Sequence, residues 1–131
     1  MTVRREFTNS PAAIADARHF VATEIAGVPD RVAEDVIVMT SELVTNCVRH
    51  TVTDFTVSVD RTGSQVRVEV TDRGGGFPVV RSPDVTEPSG RGLRIVQDLS
   101  DSFGIRELAN SPGKTVWFAV SLEARSGARG R

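Results

Sequence analysis

Cysteine, lysine and aromatic residues are scarce in this 131-residue chain, which has one cysteine, one tryptophan and no tyrosine. A single thiol, Cys47, cannot form an internal disulfide. No apolar run is long enough to span a bilayer, and no signal peptide is evident. The net charge of -1 and the pI of about 6.1 exclude the basic surface typical of DNA-binding proteins. We therefore expect a cytoplasmic protein with no membrane partner and no direct nucleic-acid partner.

The length of the chain corresponds to one domain, which can bury roughly two-thirds of its unfolded surface. After Leu122 the chain contains no apolar residue larger than alanine. We therefore assign residues 1–122 to a single domain. Residues 123–131 are predicted to form a flexible C-terminal tail.

The first half of the chain is predicted to be mostly helical. A short strand over Val3 to Phe7 precedes Ser10-Pro11, which favours a helix start. Apolar residues at helical spacing continue to Gly27, and Asp30 then offers the N-cap of a second helix over residues 31–50. The apolar stripe of this second helix comprises Val32, Val36, Met39, Leu43 and Cys47, and His50 lies along it, where a core or capping histidine is expected.

The second half is predicted to be mostly strands. Alternation of valine with polar residues over residues 55–59 and 66–70 indicates an antiparallel hairpin. Residues 73–92 combine glycines and prolines and are expected to form a long loop, followed by a short helix near Gly92. Strands over 103–108 and 115–122 complete an α+β two-layer sandwich, with helices on one face of a mixed, mostly antiparallel sheet.

Glu42 and Asn46 lie one turn apart on the second predicted helix, at the rim of its buried face. Asn46 can give Mg²⁺ one neutral oxygen, and Glu42 can accept a proton from an attacking hydroxyl. The plainer interpretation is that Asn46 bonds a neighbouring strand and that Glu42 pairs with Arg49. That interpretation is the better one for an isolated pair of residues, so the glycine-rich segments downstream decide between the two.

Two glycine-rich segments follow. In the first, Asp72-Arg-Gly74-Gly-Gly76-Phe77, a carboxylate at a strand end can bind a base edge while bare backbone allows close approach. In the second, Gly90-Arg91-Gly92-Leu93, a helix begins with free N–H groups that suit phosphate, and Arg91 adds charge. Either segment alone is equally compatible with a turn.

Two other glycine motifs are rejected. Gly113-Lys114-Thr115 resembles the end of a phosphate-binding P-loop, but Leu108 stands where that motif needs glycine and a strand follows. Gly74-Gly75-Gly76 precedes no βαβ unit, so a dinucleotide-binding fold is excluded.

Taken in order, four segments resemble the nucleotide-binding motifs of the GHKL superfamily, which includes gyrase-type, chaperone and histidine-kinase ATPases. They are Glu42 to His50, Asp72 to Phe77, Gly90 to Leu93 and Gly113 to Trp117. The resemblance implies a Bergerat-type sandwich that binds ATP and Mg²⁺. Within the superfamily the chain is most similar to the stand-alone bacterial anti-sigma-factor serine kinases, with Cys47 in place of a usual alanine.

The resemblance also implies roles for individual residues. Glu42 would be the general base and Asn46 the Mg²⁺ ligand, while Asp72 would bind the adenine amino group. The other predicted nucleotide contacts are Gly74 and Gly76 at the adenine side, Gly90, Arg91, Gly92 and Leu93 at the phosphates, Arg49 as a further charge, and Thr115 in the base pocket. Lys114 is left as a residue that can simply face solvent.

These assignments predict a kinase that sequesters a sigma factor and phosphorylates a STAS-type anti-anti-sigma partner, with a homodimer possible. The alternative is a non-catalytic module in which ATP switches partner binding without phosphoryl transfer. A third interpretation, a plain α+β domain whose glycines only form turns, conflicts with four matches in the same order.

Overall fold

The computed structural model describes residues 1–74 and 88–123, and for residues 88–92 it describes the backbone alone. Within these residues the elements follow the predicted order of strand, two helices, two strands, helix and two strands. They are β1 (Thr2–Phe7), α1 (Ala12–Glu24), α2 (Asp30–His50), β2 (Phe55–Arg61), β3 (Gln65–Asp72), α3 (Pro88–Leu99), β4 (Ser102–Glu107) and β5 (Lys114–Ser121). The predicted α+β two-layer class is confirmed.

The strands form one five-stranded sheet in the order β1-β2-β3-β5-β4. Every neighbouring pair is antiparallel, so the sheet is not mixed. In the centre, Val68 lies opposite Val59 of β2 on one side and Phe118 of β5 on the other. Because side chains alternate along a strand, this register aligns apolar side chains on a single face.

That apolar face packs against α1 and α2, and α3 packs beside α2. Val57, Val68 and Phe118 are fully buried, as are Val36 and Met39 of α2. Each such side chain contributes about 1.5–3 kcal/mol to folding. The opposite face of the sheet is polar, and there the guanidinium of Arg67 lies 4.0 Å above the ring of Trp117.

Several local predictions need correction. Ser10 does not cap α1, whose N-cap is Pro11, and Asp30 is the first residue of α2 rather than its cap; neither N-cap residue makes a side-chain cap bond. The third helix begins at Pro88, one turn before Gly92. His50, the last residue of α2, is exposed, and the buried stripe of this helix ends one turn earlier at Cys47.

Within the described residues, no helix is both long enough and apolar enough to cross a bilayer. The predicted loop over residues 73–92 lies largely outside the described residues. The predicted tail is also outside them from residue 124 onward.

Candidate nucleotide site

The C-terminal half of α2 presents Glu42 and Asn46 on the helix face that borders the core. Both side chains are half-buried, while Leu43 and Val44 beside them are fully buried. In the described part of the chain, Glu42 forms no ion pair with Arg49, which is exposed. The structural pairing that would have explained Glu42 is therefore not formed.

Asp72, the last residue of β3, is a buried carboxylate on the helix-facing side of the sheet. Its side chain is 3% exposed, and Lys114 Nζ lies 3.2 Å from Oδ2. The two residues are direct neighbours in the β3–β5 register. Since an unpaired buried carboxylate is costly, the contact with the ammonium group offsets part of the cost of burying Asp72.

Thr115 follows Lys114 on β5. It lies opposite Thr71 in the register, and the two hydroxyl oxygens are 2.7 Å apart. Alternation along β5 puts Thr115 on the sheet face away from Asp72 and the helices. Lys114, and not Thr115, thus occupies the position beside Asp72, and the contact of Thr115 with a base stays a prediction.

The backbone beside Asp72 is held by two glycines in close contact. Gly74 has a φ of 75° and Gly113 a φ of 117°. A Cβ on Gly74 would lie 2.5 Å from the Gly113 nitrogen, and one on Gly113 would lie 2.3 Å from the Asp72 carbonyl oxygen. Only glycine allows this approach, which brings the end of β3 against the start of β5.

Cys47 lies on α2 near the same carboxylate. The pKa of the Cys47 thiol is raised to about 12, mainly by burial and also by the Asp72 charge, while the Lys114 charge opposes the rise. The helix α2 packs against both β3 and β5, the strands that carry Asp72 and Lys114. Cys47 is therefore a neutral, unreactive residue on the buried face of α2.

Asn9 anchors the end of α2. Its Nδ2 donates to the carbonyl oxygens of Cys47 at 3.3 Å and Thr53 at 2.9 Å, and also contacts both oxygens of Thr51. One carboxamide thereby fixes the turn after α2 and the start of β2. This contact holds Asn46 and Cys47 in place relative to the sheet.

The remaining predicted residues are described less completely. Leu93 of α3 is half-buried and packs against the core. Gly90, Arg91 and Gly92 belong to the first turns of α3, but their side chains are not described, and Gly76 lies outside the described residues. Their predicted contacts with nucleotide stay predictions.

The donor set of the site suits a nucleotide better than a bare metal ion. Within the described residues, no group of three or more His, Cys, Asp or Glu side chains could hold a metal. A Mg²⁺ ion at Asn46 would need phosphate and water oxygens for its other ligands, as this ion usually does. The buried acceptor Asp72 fits the amino group of a base.

Sequence reasoning missed the contacts of Lys114 and Asn9. For Lys114 only the sheet face could be predicted, since alternation from Phe118 back through Val116 places it on the inner face, whereas its pairing with Asp72 depends on the β3–β5 register. No sequence pattern marks Asn9, whose partners lie about 40 residues away.

A solved structure with the same fold is that of the RsbU and RsbW domains of Rv1364c from Mycobacterium tuberculosis, with a TM-score of 0.70 at 21% sequence identity. The match covers 95% of this chain and 33% of that one, so the chain spans about a third of its length. At this identity the likeness establishes the fold. No curated protein sequence matches the chain.

The sequence profile described as "Histidine kinase-like ATPase domain" matches residues 7–120, nearly the whole chain. This match confirms the GHKL resemblance and implies ATP binding. It includes α2, the end of β3 and the start of β5, which carry Asn46, Asp72 and Lys114. The chain belongs to the histidine kinase-like ATPase domain family.

Proposed function

We propose that this protein is an ATP-dependent anti-sigma factor and protein serine kinase, which sequesters a sigma factor and phosphorylates a STAS-type anti-anti-sigma partner. Its ATP-binding domain would comprise residues 1–122, in agreement with the family match over residues 7–120. The observation that carries the proposal is Glu42, a half-buried carboxylate without an ion-pair partner in the described part of the chain.

The proposal assigns nucleotide recognition to the end of β3 and to α2. Asp72 accepts a hydrogen bond from the adenine amino group, and Gly74 lets the base approach the backbone. Asn46 supplies one oxygen to Mg²⁺, one helical turn from Glu42. The proposal assigns Gly76 to the adenine side, and Gly90, Arg91, Gly92 and Leu93, with Arg49, to the phosphates.

The proposed reaction transfers the γ-phosphoryl group of ATP to a serine of the partner. Glu42 accepts the proton of the serine hydroxyl as the new P–O bond forms, and the bond from the γ-phosphorus to the bridging oxygen breaks, releasing ADP. Such transfers depend mainly on alignment and charge neutralisation. Mg²⁺ would neutralise phosphate charge. The chain itself would hold the adenine and position the Glu42 carboxylate.

The proposal also names partner proteins. The solved structure that shares this fold combines RsbU and RsbW domains in one chain, so in that protein this fold stands beside another domain. The resemblance to anti-sigma-factor kinases supplies the sigma factor and the STAS protein as partners. Because these partners and ATP are cytoplasmic, the proposal places the protein there too, and a homodimer is compatible with it.

A second candidate function is a non-catalytic module in which ATP switches partner binding. It uses the same Asp72 and Asn46 contacts but has no need of a carboxylate at Glu42. The two functions are separated by whether phosphate reaches a partner.

The first experiment tests nucleotide binding by thermal unfolding with and without Mg-ATP. A ligand at one hundred times its dissociation constant stabilises the folded state by about 2.7 kcal/mol. We expect this shift in the native chain and its loss in Asn46→Ala and Asp72→Asn. Asn110→Ala and Asp98→Asn, which change exposed residues of the same types, serve as controls and should keep the shift.

The second experiment tests catalysis with ³²P-labelled ATP and a panel of STAS-domain proteins. We expect label on a partner serine, lost in Glu42→Gln while ATP stabilisation remains. The control is Glu34→Gln, an exposed glutamate of the same helix, which should transfer phosphate normally. Stabilisation by ATP without transfer to any partner would favour the switching module, and transfer that survives in Glu42→Gln would refute the assigned base.

A further inference from the structure

The pairing of Asp72 with Lys114 gives the nucleotide site an unusual feature. Lys114 is the only lysine of the chain. Its side chain is 45% exposed, whereas the Asp72 side chain that it contacts is 3% exposed. The ammonium group therefore lies at the rim of the site, directly over a buried carboxylate.

The contact leaves hydrogen-bonding capacity on both partners. A carboxylate has two oxygens with about four lone-pair directions, and an ammonium group has three N–H donors. The described contact uses one donor and Oδ2. A base can thus meet an acceptor, Asp72 Oδ1, and a charged donor, Lys114 Nζ, side by side.

Adenine offers the complementary pair. Its 6-amino group is a donor, and the adjacent ring nitrogen N1 is an acceptor. Thr115 of the same strand also carries a donor, its hydroxyl group. That hydroxyl lies on the other sheet face and is hydrogen-bonded to the hydroxyl of Thr71. Lys114 is the donor that β5 places on the Asp72 side.

We propose that Lys114 is a specificity-determining residue of the nucleotide site, whose ammonium group, held on Asp72 Oδ2, donates a hydrogen bond to N1 of adenine. This inference rests on the proposed ATP site. A base that lacks an acceptor at this position leaves a charged donor unpaired in a partly desolvated place. Such a loss weakens binding by about 10- to 100-fold, as for other hydrogen bonds to charged groups.

The experiment measures dissociation constants by isothermal titration calorimetry on the full chain. The ligands are ATP, 1-deaza-ATP, in which a C–H replaces N1, and 7-deaza-ATP, which lacks N7 but keeps N1. We expect the native chain to bind ATP and 7-deaza-ATP alike and 1-deaza-ATP about 10- to 100-fold more weakly. Equal binding of 1-deaza-ATP and ATP would overturn the inference without any variant.

Lys114→Met removes the donor while keeping much of the side-chain volume. It should bind ATP more weakly and bring the ratio between 1-deaza-ATP and ATP close to one. Arg106→Met is the matched control, because Arg106 is also about half exposed, at 54%, and ion-paired, but lies on the other sheet face. It should keep the native ratio, and a native ratio in Lys114→Met would show that another donor reads N1.

The outcomes also separate this inference from the proposed function. If the native chain binds none of the three nucleotides, the ATP site itself is refuted. If ATP binds and Asp72→Asn abolishes binding, but Lys114→Met keeps the preference against 1-deaza-ATP, the ATP site stands and the role of Lys114 falls.

Discussion

Replacing Gly113 by alanine tests whether the glycine contact beside Asp72 holds the site together. Gly113 has a φ of 117°, a backbone conformation that residues with a Cβ rarely adopt. The new Cβ would lie 2.3 Å from the Asp72 carbonyl oxygen and 2.9 Å from Arg73 Cα. Both are backbone atoms, so no side-chain rotation can relieve the overlap and the β4–β5 turn must move.

The expected cost follows from these two terms. A non-glycine residue in a sparsely populated backbone region costs about 1–3 kcal/mol, and the overlap with β3 adds to it. We expect a total loss of about 3 kcal/mol in the free energy of unfolding. At roughly 4 °C per kcal/mol for a domain of this size, the melting temperature should fall by about 12 °C.

The assay is thermal unfolding followed by circular dichroism, with urea unfolding as a second measure. Gly63→Ala is the matched control, because a Cβ there meets no atom within 4 Å and its φ lies outside the left-handed region. Its stability should change by less than about 0.5 kcal/mol. If Gly113→Ala melts within roughly 2 °C of the native chain, the close approach of β3 and β5 is not rigid and the reasoning fails.

Three further predictions concern other parts of the fold. Asn9→Ala should lower the free energy of unfolding by about 2 kcal/mol, because it removes the donor to the carbonyl oxygens of Thr51 and Thr53. Exposed Asn110→Ala should leave the free energy of unfolding unchanged, and urea unfolding of both variants tests this. Because the folded-state pKa of Cys47, about 12, lies above its ordinary value of 9.0, its contribution to stability is present below pH 9 and is lost as the pH rises toward 12. Cys47→Ala should therefore lose less stability than the native chain between pH 8 and roughly pH 10 in urea titrations, and equal losses would contradict the buried thiol. Arg67→Ala should uncover the indole of Trp117, the only tryptophan, and so shift its fluorescence emission to longer wavelength. The free energy of unfolding should fall by about 0.5–1 kcal/mol. An unchanged emission spectrum would contradict the stacked geometry.

Local periodicity predicted most of the elements. The alternating valines of β2 and β3 and the apolar stripe of α2 each record which face of an element is buried, so their type and order could be predicted. Helix starts were predicted less well, since Ser10 and Asp30 are good caps by type but make no cap bond here. Caps depend on the path of the preceding chain, which residue type alone does not fix.

The residues of the candidate site could also be predicted only in part. Glu42 and Asn46 share a helix face because of their spacing, and the family could be predicted because four short motifs occur in a fixed order. Lys114 and Thr115 are adjacent in sequence, and a strand sends adjacent side chains to opposite faces. Which of the two meets Asp72 depends on the β3–β5 register, in which Asp72 lies opposite Lys114.

By itself, then, the sequence determined the element types, the α+β class and the family, because each is written in short-range spacing and residue type. Only the tertiary structure decided that Lys114 rather than Thr115 pairs with Asp72, that Cys47 lies close to that pair, and that Asn9 anchors α2. These contacts join residues about 40 positions apart or on different elements. Their geometry arises from strand register and helix packing, which no local pattern encodes.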